Sequence, residues 1–184
     1  MADTIYLIRH AEKPIATGPP RGVDLDGNPD PESLTALGWQ RAGALVGLFD
    51  GSATRAPTDE TRLLTPTHLF ASLVGPGSGS RRPQQTLDPL AQRLGLPIDV
   101  RFLKAQVPEL AAAARAADGV VLIAWEHQLI PTLATAILGA AAGVPAAWPD
   151  VRFDMVWACD LPRQALRQVP QMLLAGDRPD PFPL

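Results

Sequence analysis

The chain opens with an unbroken apolar and β-branched run at residues 4–8 (TIYLI), which stops abruptly at Arg9-His10. Such a run, with no polar alternation, suits a central strand covered on both faces. Residues 13–31 crowd Pro, Gly and Asp together without periodicity and read as loop. Ser33 then caps a helix over about 34–49, in which Leu37, Ala42, Leu45, Val46 and Phe49 recur near helical spacing. Residues 51–66 form a second irregular loop, and 68–73 (HLFASL) a short strand followed by a Gly/Ser turn. A helix is expected over 83–94, with Pro83 at its first position and Gly95 closing it. Beyond it come a strand at 98–103, a helix at 108–117, a buried strand at 119–124 (GVVLIA) and a helix at 131–139. Two strands, 153–159 and 165–174, are joined by the turn DLPRQ.

Strands alternating with helices indicate an α/β protein: a mostly parallel sheet with helices on both faces, ending in an antiparallel C-terminal β-hairpin. The length of 184 residues and the absence of internal repeats or a composition break point to a single domain spanning 1–184. The stretch from Gln128 to Pro149 carries no charge, but Pro131, Gly139, Gly143 and Pro145 interrupt it, so a buried helix and loop are expected rather than a membrane span. The first residues carry Asp3 and Arg9 around five apolar positions, unlike a secretory signal, and a bacterial, cytoplasmic protein is expected.

Composition narrows the function. A formal net charge of −3 argues against a nucleic-acid partner, which needs a basic stripe. The single cysteine, Cys159, excludes an internal disulfide framework and a Cys-rich metal site. Of 16 basic residues 14 are Arg, whose forked donors suit phosphate and carboxylate. Histidine is scarce: His10, His68 and His127.

In open parallel sheets ligands gather beyond the carboxyl ends of the strands. Three of the expected strands are followed there by Arg9-His10, by Arg81-Arg82 after the Gly-rich turn, and by Glu126-His127. Two histidines and two or three arginines thus converge on one end of the sheet. Arginine forks and a helix N-terminus favour an oxyanion such as phosphate. A histidine among them can attack phosphorus while the second donates to the transferring oxygens.

These residues resemble a known family. LIRHAEK (7–13) is similar to the RHG/RHA signature of the histidine phosphatase superfamily, the phosphoglycerate mutase-like proteins. LTALGWQRAGAL resembles that family's next helix, RPQQT (82–86) its second arginine element, and VLIAWEHQLI its strand ending in the second histidine. The resemblance covers about residues 4–140. It implies a three-layer α/β/α sandwich and a phosphohydrolase that needs no metal or other cofactor. It further implies that His10 carries a phosphohistidine, and that Arg9, Arg82 and His127 bind and stabilise the phosphoryl group. The expected partner is a small phosphorylated substrate or a phosphoprotein; neither nucleic acid nor membrane is expected, and the oligomeric state is open.

The sequence also departs from the family. Where the mutases place a proton-donating Glu after the strand at 98–103, it has Lys104, Ala105 and Gln106. Glu126, Glu109 or no carboxylate at all remain as proton donor, with Glu126 preferred although strand alternation would turn it away from His127. Ala16 replaces the Asn common six residues after the first histidine. These changes favour a phosphatase over a mutase, and leave a catalytically degenerate phosphate-binding or regulatory module as the alternative. A phosphohistidine or an acyl phosphate would need no donor.

Several other features read as structural. His68 matches no motif, Glu12 supports its loop, and Arg81 is a solvated cation beside the pocket arginine Arg82. VDLDGN lacks the hydrophobic strand that a dehalogenase-type nucleophile requires and reads as a turn, while GPGSGSRR lacks the closing Gly-Lys-Ser/Thr of a P-loop. The irregular loops 13–31 and 51–66 are placed to overhang the pocket and set substrate choice.

Overall fold

The computed structural model describes residues 1–51 and 62–184. The opening apolar run becomes β1 (Ala2–Arg9), with Ile5, Leu7 and Ile8 completely buried. In chain order follow α1 (Ala36–Phe49), β2 (His68–Ala71), α2 (Arg82–Leu94), β3 (Ile98–Asp99), α3 (Val107–Ala116), β4 (Gly119–Trp125), α4 (Ile130–Leu138), β5 (Met155–Asp160) and β6 (Ala165–Pro170). The strands form a six-stranded sheet in the order β3-β2-β4-β1-β5-β6. The first four are parallel, while β5 runs antiparallel to β1 and β6 to β5, which is the expected C-terminal hairpin.

Alternation along β1 divides the core into two layers. Ile5 and Leu7 join Val121 and Ile123 of β4 under α3 and α4. Tyr6 and Ile8 join Leu69, Leu122 and Ala124 under α1 and α2. Each pair of helices covers one face, giving the three-layer α/β/α sandwich. The hairpin is anchored on the α3/α4 side by fully buried Trp157, which packs against Trp148 with ring centroids 5.0 Å apart and planes tilted by 42°.

Some expected boundaries shift. Thr35, not Ser33, caps α1: its hydroxyl accepts from Gly38 N at 3.1 Å, whereas Ser33 donates to Asp30 at 2.6 Å. Ser33 is spent on closing the loop before it. The strand expected over 98–103 keeps only two residues: just beyond it the Arg101 amide donates to the Asp99 side chain at 3.1 Å, and the chain bends at Phe102. The hairpin strands span 155–160 and 165–170, shorter than expected at their outer ends.

The uncharged stretch 128–149 forms the nine-residue α4 and a 3-10 turn at Ala140–Ala142. Among the described residues no helix is long and apolar enough to cross a membrane. VDLDGN is a turn, in which one Asp24 oxygen accepts from the amides of Asp26 and Asn28 at 3.0 and 2.8 Å. Most of the loop 51–66, including Arg55, lies outside the described residues.

Candidate active site

The parallel pairing of β1 with β4 sets the site. Arg9 is in register with Trp125, and the His10 amide donates to the Trp125 carbonyl at 3.1 Å. His10 and Glu126-His127 therefore leave neighbouring strands at the same level. The chain then departs in opposite directions, from β1 across β4 to β2 and from β4 across β1 to β5. A reversal of strand order of this kind opens a crevice at the carboxyl edge of a sheet. A cavity of about 280 Å³ lies there, lined by His10, His127, Arg82, Glu126, Lys13, Lys104, Glu32, Ser72 and the turn 77–80.

His10 is 5% exposed, and its Nδ1 lies 2.8 Å from the Ala11 carbonyl oxygen. A carbonyl only accepts, so Nδ1 carries the hydrogen and Nε2 keeps its lone pair. Burial pushes the imidazole pKa down to about 3 against the pull of that hydrogen bond, and the charges of Arg9, Arg82 and Lys13 push the same way. The ring is therefore an uncharged base at neutral pH. The Ala11 peptide is held from its other side, its amide donating to the Thr86 hydroxyl at 2.8 Å. Gly38 lets α1 approach this turn: a Cβ there would lie 2.6 Å from the Glu12 carbonyl oxygen.

Arg9 is fully buried, and its Nη1 donates to the carbonyls of Asp150 and Arg152 at 2.5 and 3.2 Å, with Pro149 O at 3.4 Å. Its guanidinium carbon stands 3.9 Å from the centroid of the Phe153 ring. Burial lowers its pKa to about 10, so the cation persists at neutral pH. Its Nε and Nη2 are buried without a hydrogen-bond partner.

The first turn of α2 supplies the second arginine. Arg82 lines the cavity and is 15% exposed in its side chain, with Nη2 2.5 Å from the Pro31 carbonyl and Nη1 3.0 Å from Ser80 Oγ. Burial lowers its pKa as well, against the charges of Glu32, Asp30 and Glu126. Arg81 points outward, 60% exposed, with Asp30 3.7 Å away. Thr86 donates back to the Arg82 carbonyl at 2.7 Å, so the arginine turn and the His10 turn share one hydroxyl.

His127 closes the opposite side. Its side chain is 6% exposed; Nε2 contacts the Asp150 carboxylate, and Nδ1 is buried and unpartnered. Burial and Arg9 lower its pKa, with Asp150 acting in the other direction. Glu126 lies beyond the end of β4, where alternation no longer holds, and it lines the cavity beside His127 with Lys104 at 3.4 Å. Glu109 is exposed on α3 and does not line the cavity. His68 begins β2, at the opposite edge of the sheet, and Glu12 is paired with Arg41 at 2.8 Å.

Sequence reasoning missed Asp150, Lys13 and Glu32 at this site. Asp150 lies in an irregular segment before β5 and carries no motif; only the fold brings it to His127. Lys13 follows His10 by three residues, which was a usable signal. Among the described residues no cluster of three or more His, Cys, Asp or Glu is placed to hold a metal ion.

No protein-family model matches the sequence, and neither does any curated protein. Solved structures do. The chain described as "putative phosphohistidine phosphatase SixA from Agrobacterium tumefaciens" is similar over 91% of this chain and 96% of its own, with 17% identity and a TM-score of 0.51. "Mycobacterial hydrolase 2" matches over 96% of this chain and 92% of its own, at 16% identity and a TM-score of 0.43. YhfR of Bacillus stearothermophilus matches over 95% and 98%, at 14% identity and a TM-score of 0.41. The first of these likenesses covers nearly the whole of both chains, and this protein shares the α/β/α fold of that structure.

Proposed function

We propose that this protein is a metal-independent phosphohydrolase that cleaves a phosphomonoester, a phosphohistidine or an acyl phosphate through a phosphohistidine on His10. The observation that carries this reading is the His10–Ala11 hydrogen bond, which leaves an uncharged Nε2 lone pair at the cavity. In the first step Nε2 bonds to phosphorus as the bond from phosphorus to the leaving group breaks. In the second, water attacks phosphorus, the P–N bond breaks and phosphate departs with His10 neutral again.

The surrounding donors suit the charge that spreads over the phosphoryl oxygens in both steps. Of the five buried side-chain atoms without a partner among the described residues, three are Arg9 Nε, Arg9 Nη2 and His127 Nδ1. A buried donor left unmatched costs about 1–3 kcal/mol, so the two Arg9 donors gain from an oxyanion partner, and His127 Nδ1 joins them once it carries a hydrogen. Arg82 completes the clamp from the start of α2, where helix amides also favour an anion.

Glu126 is the carboxylate that we assign as proton donor to a poor leaving group. Its ion pair with Lys104 competes with that role, which favours substrates whose leaving group departs without a proton. The test is hydrolysis of p-nitrophenyl phosphate by purified protein. Turnover in the native chain and its loss in His10→Ala are expected, and retained turnover in His10→Ala would overturn the mechanism.

A further inference from the structure

Asp150 touches both halves of the phosphate clamp, by different atoms. Its carbonyl oxygen accepts from Arg9 Nη1 at 2.5 Å, and its carboxylate contacts His127 Nε2. The segment that carries it is held at several points. Arg9 also donates to the carbonyl of Arg152, Arg152 N returns to Pro149 O at 3.0 Å, and the Trp148 indole donates to Arg152 O at 2.8 Å. The backbone of Asp150 is therefore fixed by the same arginine whose remaining nitrogens are unmatched. The carboxylate itself is 77% exposed, but it touches a ring that is 6% exposed, so it can both orient that ring and favour its charged form.

We propose that Asp150 is a positioning residue for His127, taking the Nε2–H so that the buried Nδ1 is the atom presented to a bound phosphoryl group and can donate to it once the ring is protonated. This rests on the phosphohydrolase reading above. A carboxylate accepts only, so Nε2 carries hydrogen and Nδ1 is bare in the neutral ring. A bare Nδ1 facing a phosphoryl oxygen would repel it. Nδ1 becomes a donor only as imidazolium, with the added proton coming from solvent or from a phosphate monoanion. Arg9 and Lys13 oppose that charge, Asp150 favours it, and the adjoining Glu126 lies next in the chain. An incoming phosphate dianion adds the negative charge that lets the ring take up its proton. Binding is thus coupled to protonation of His127, and Asp150 sets which nitrogen does the work.

Two measurements test this, one independent of turnover. Nitrogen-15 spectra of labelled histidine would be recorded with and without inorganic phosphate at pH 7. The free protein is expected to show His127 neutral with hydrogen on Nε2, and phosphate is expected to convert it to the imidazolium. In Asp150→Asn the same phosphate should leave the ring neutral, while Asp150→Glu should restore the conversion. In p-nitrophenyl phosphate hydrolysis, Asp150→Asn should lower kcat about 10–100-fold with little change in KM, the size of loss seen when a carboxylate that orients a metal-bound histidine is removed, and move the basic limb of the kcat profile to lower pH. A free His127 with hydrogen on Nδ1, or an Asp150→Asn protein whose phosphate response and pH profile superimpose on the native ones, would overturn the assignment. A native chain without turnover would instead sink the phosphohydrolase reading, and the spectra would still decide the role of Asp150.

Discussion

The Thr86 hydroxyl accepts the Ala11 amide at 2.8 Å and donates to the Arg82 carbonyl at 2.7 Å. One side chain thereby joins the turn carrying the proposed nucleophile to the helix carrying the second arginine, with no contact to substrate required. Thr86→Val keeps the shape and removes the acceptor, leaving the buried Ala11 amide unmatched at a cost of about 1–3 kcal/mol. A lower urea midpoint and reduced kcat are expected together. Loss of neither would show that the link is dispensable.

The two adjacent arginines should behave differently. Arg82 is 15% exposed at the cavity and Arg81 60% exposed beside Asp30. Removing one preorganised oxyanion-hole donor costs about 10²–10³-fold in kcat, and a phosphoryl-binding arginine is expected to matter as much. Arg82→Ala should show that loss, whereas Arg81→Ala should stay within a few-fold of the native rate. The reverse ranking in steady-state kinetics would mean the pocket arginine is misassigned.

Stability should fall in mild acid. Burial lowers the His10 pKa from 6.5 to about 3, so between those values the unfolded chain binds a proton that the folded chain refuses. The contribution is complete above pH 6.5 and is lost progressively as pH falls towards 3. His127, also lowered, adds to the same trend. Urea midpoints at pH 7 and pH 4.5 should differ less in His10→Gln than in the native chain. Equal differences would contradict an uncharged, buried His10.

Glu126 and the leaving group can be separated by substrate choice. Glu126→Gln removes the proposed proton donor while keeping its size. Rates on an alkyl phosphate should fall at least ten-fold more than rates on p-nitrophenyl phosphate or a phosphoramidate, whose leaving groups need less help. Equal losses on all three would assign Glu126 to binding alone.

Much of this was legible in the sequence for physical reasons. The runs 4–8 and 119–124 are apolar without alternation because both faces of β1 and β4 are covered by helices. Their abrupt polar ends marked Arg9-His10 and Glu126-His127, since a parallel pair must place its carboxyl ends together. Local competition hid other features. Ser33 and Thr35 are both able to cap, and Ser33 is committed elsewhere by a local bond to Asp30 and a long-range one from Gln85. Beyond β3 the Arg101 amide goes to the Asp99 side chain, a local hydrogen bond that no periodicity encodes. Asp150 was invisible because its partners Arg9 and His127 are 141 and 23 positions away, and only the β4–α4–β5 crossover brings it back.

The most direct test of the central claim is to trap the intermediate. A phosphorus-32-labelled phosphate ester would be mixed with the protein, quenched in alkali, which spares phosphohistidine, and the labelled peptide sequenced. The account predicts an alkali-stable, acid-labile label on His10 that is absent in His10→Ala. Label on another residue, or unchanged hydrolysis in His10→Ala, would contradict it.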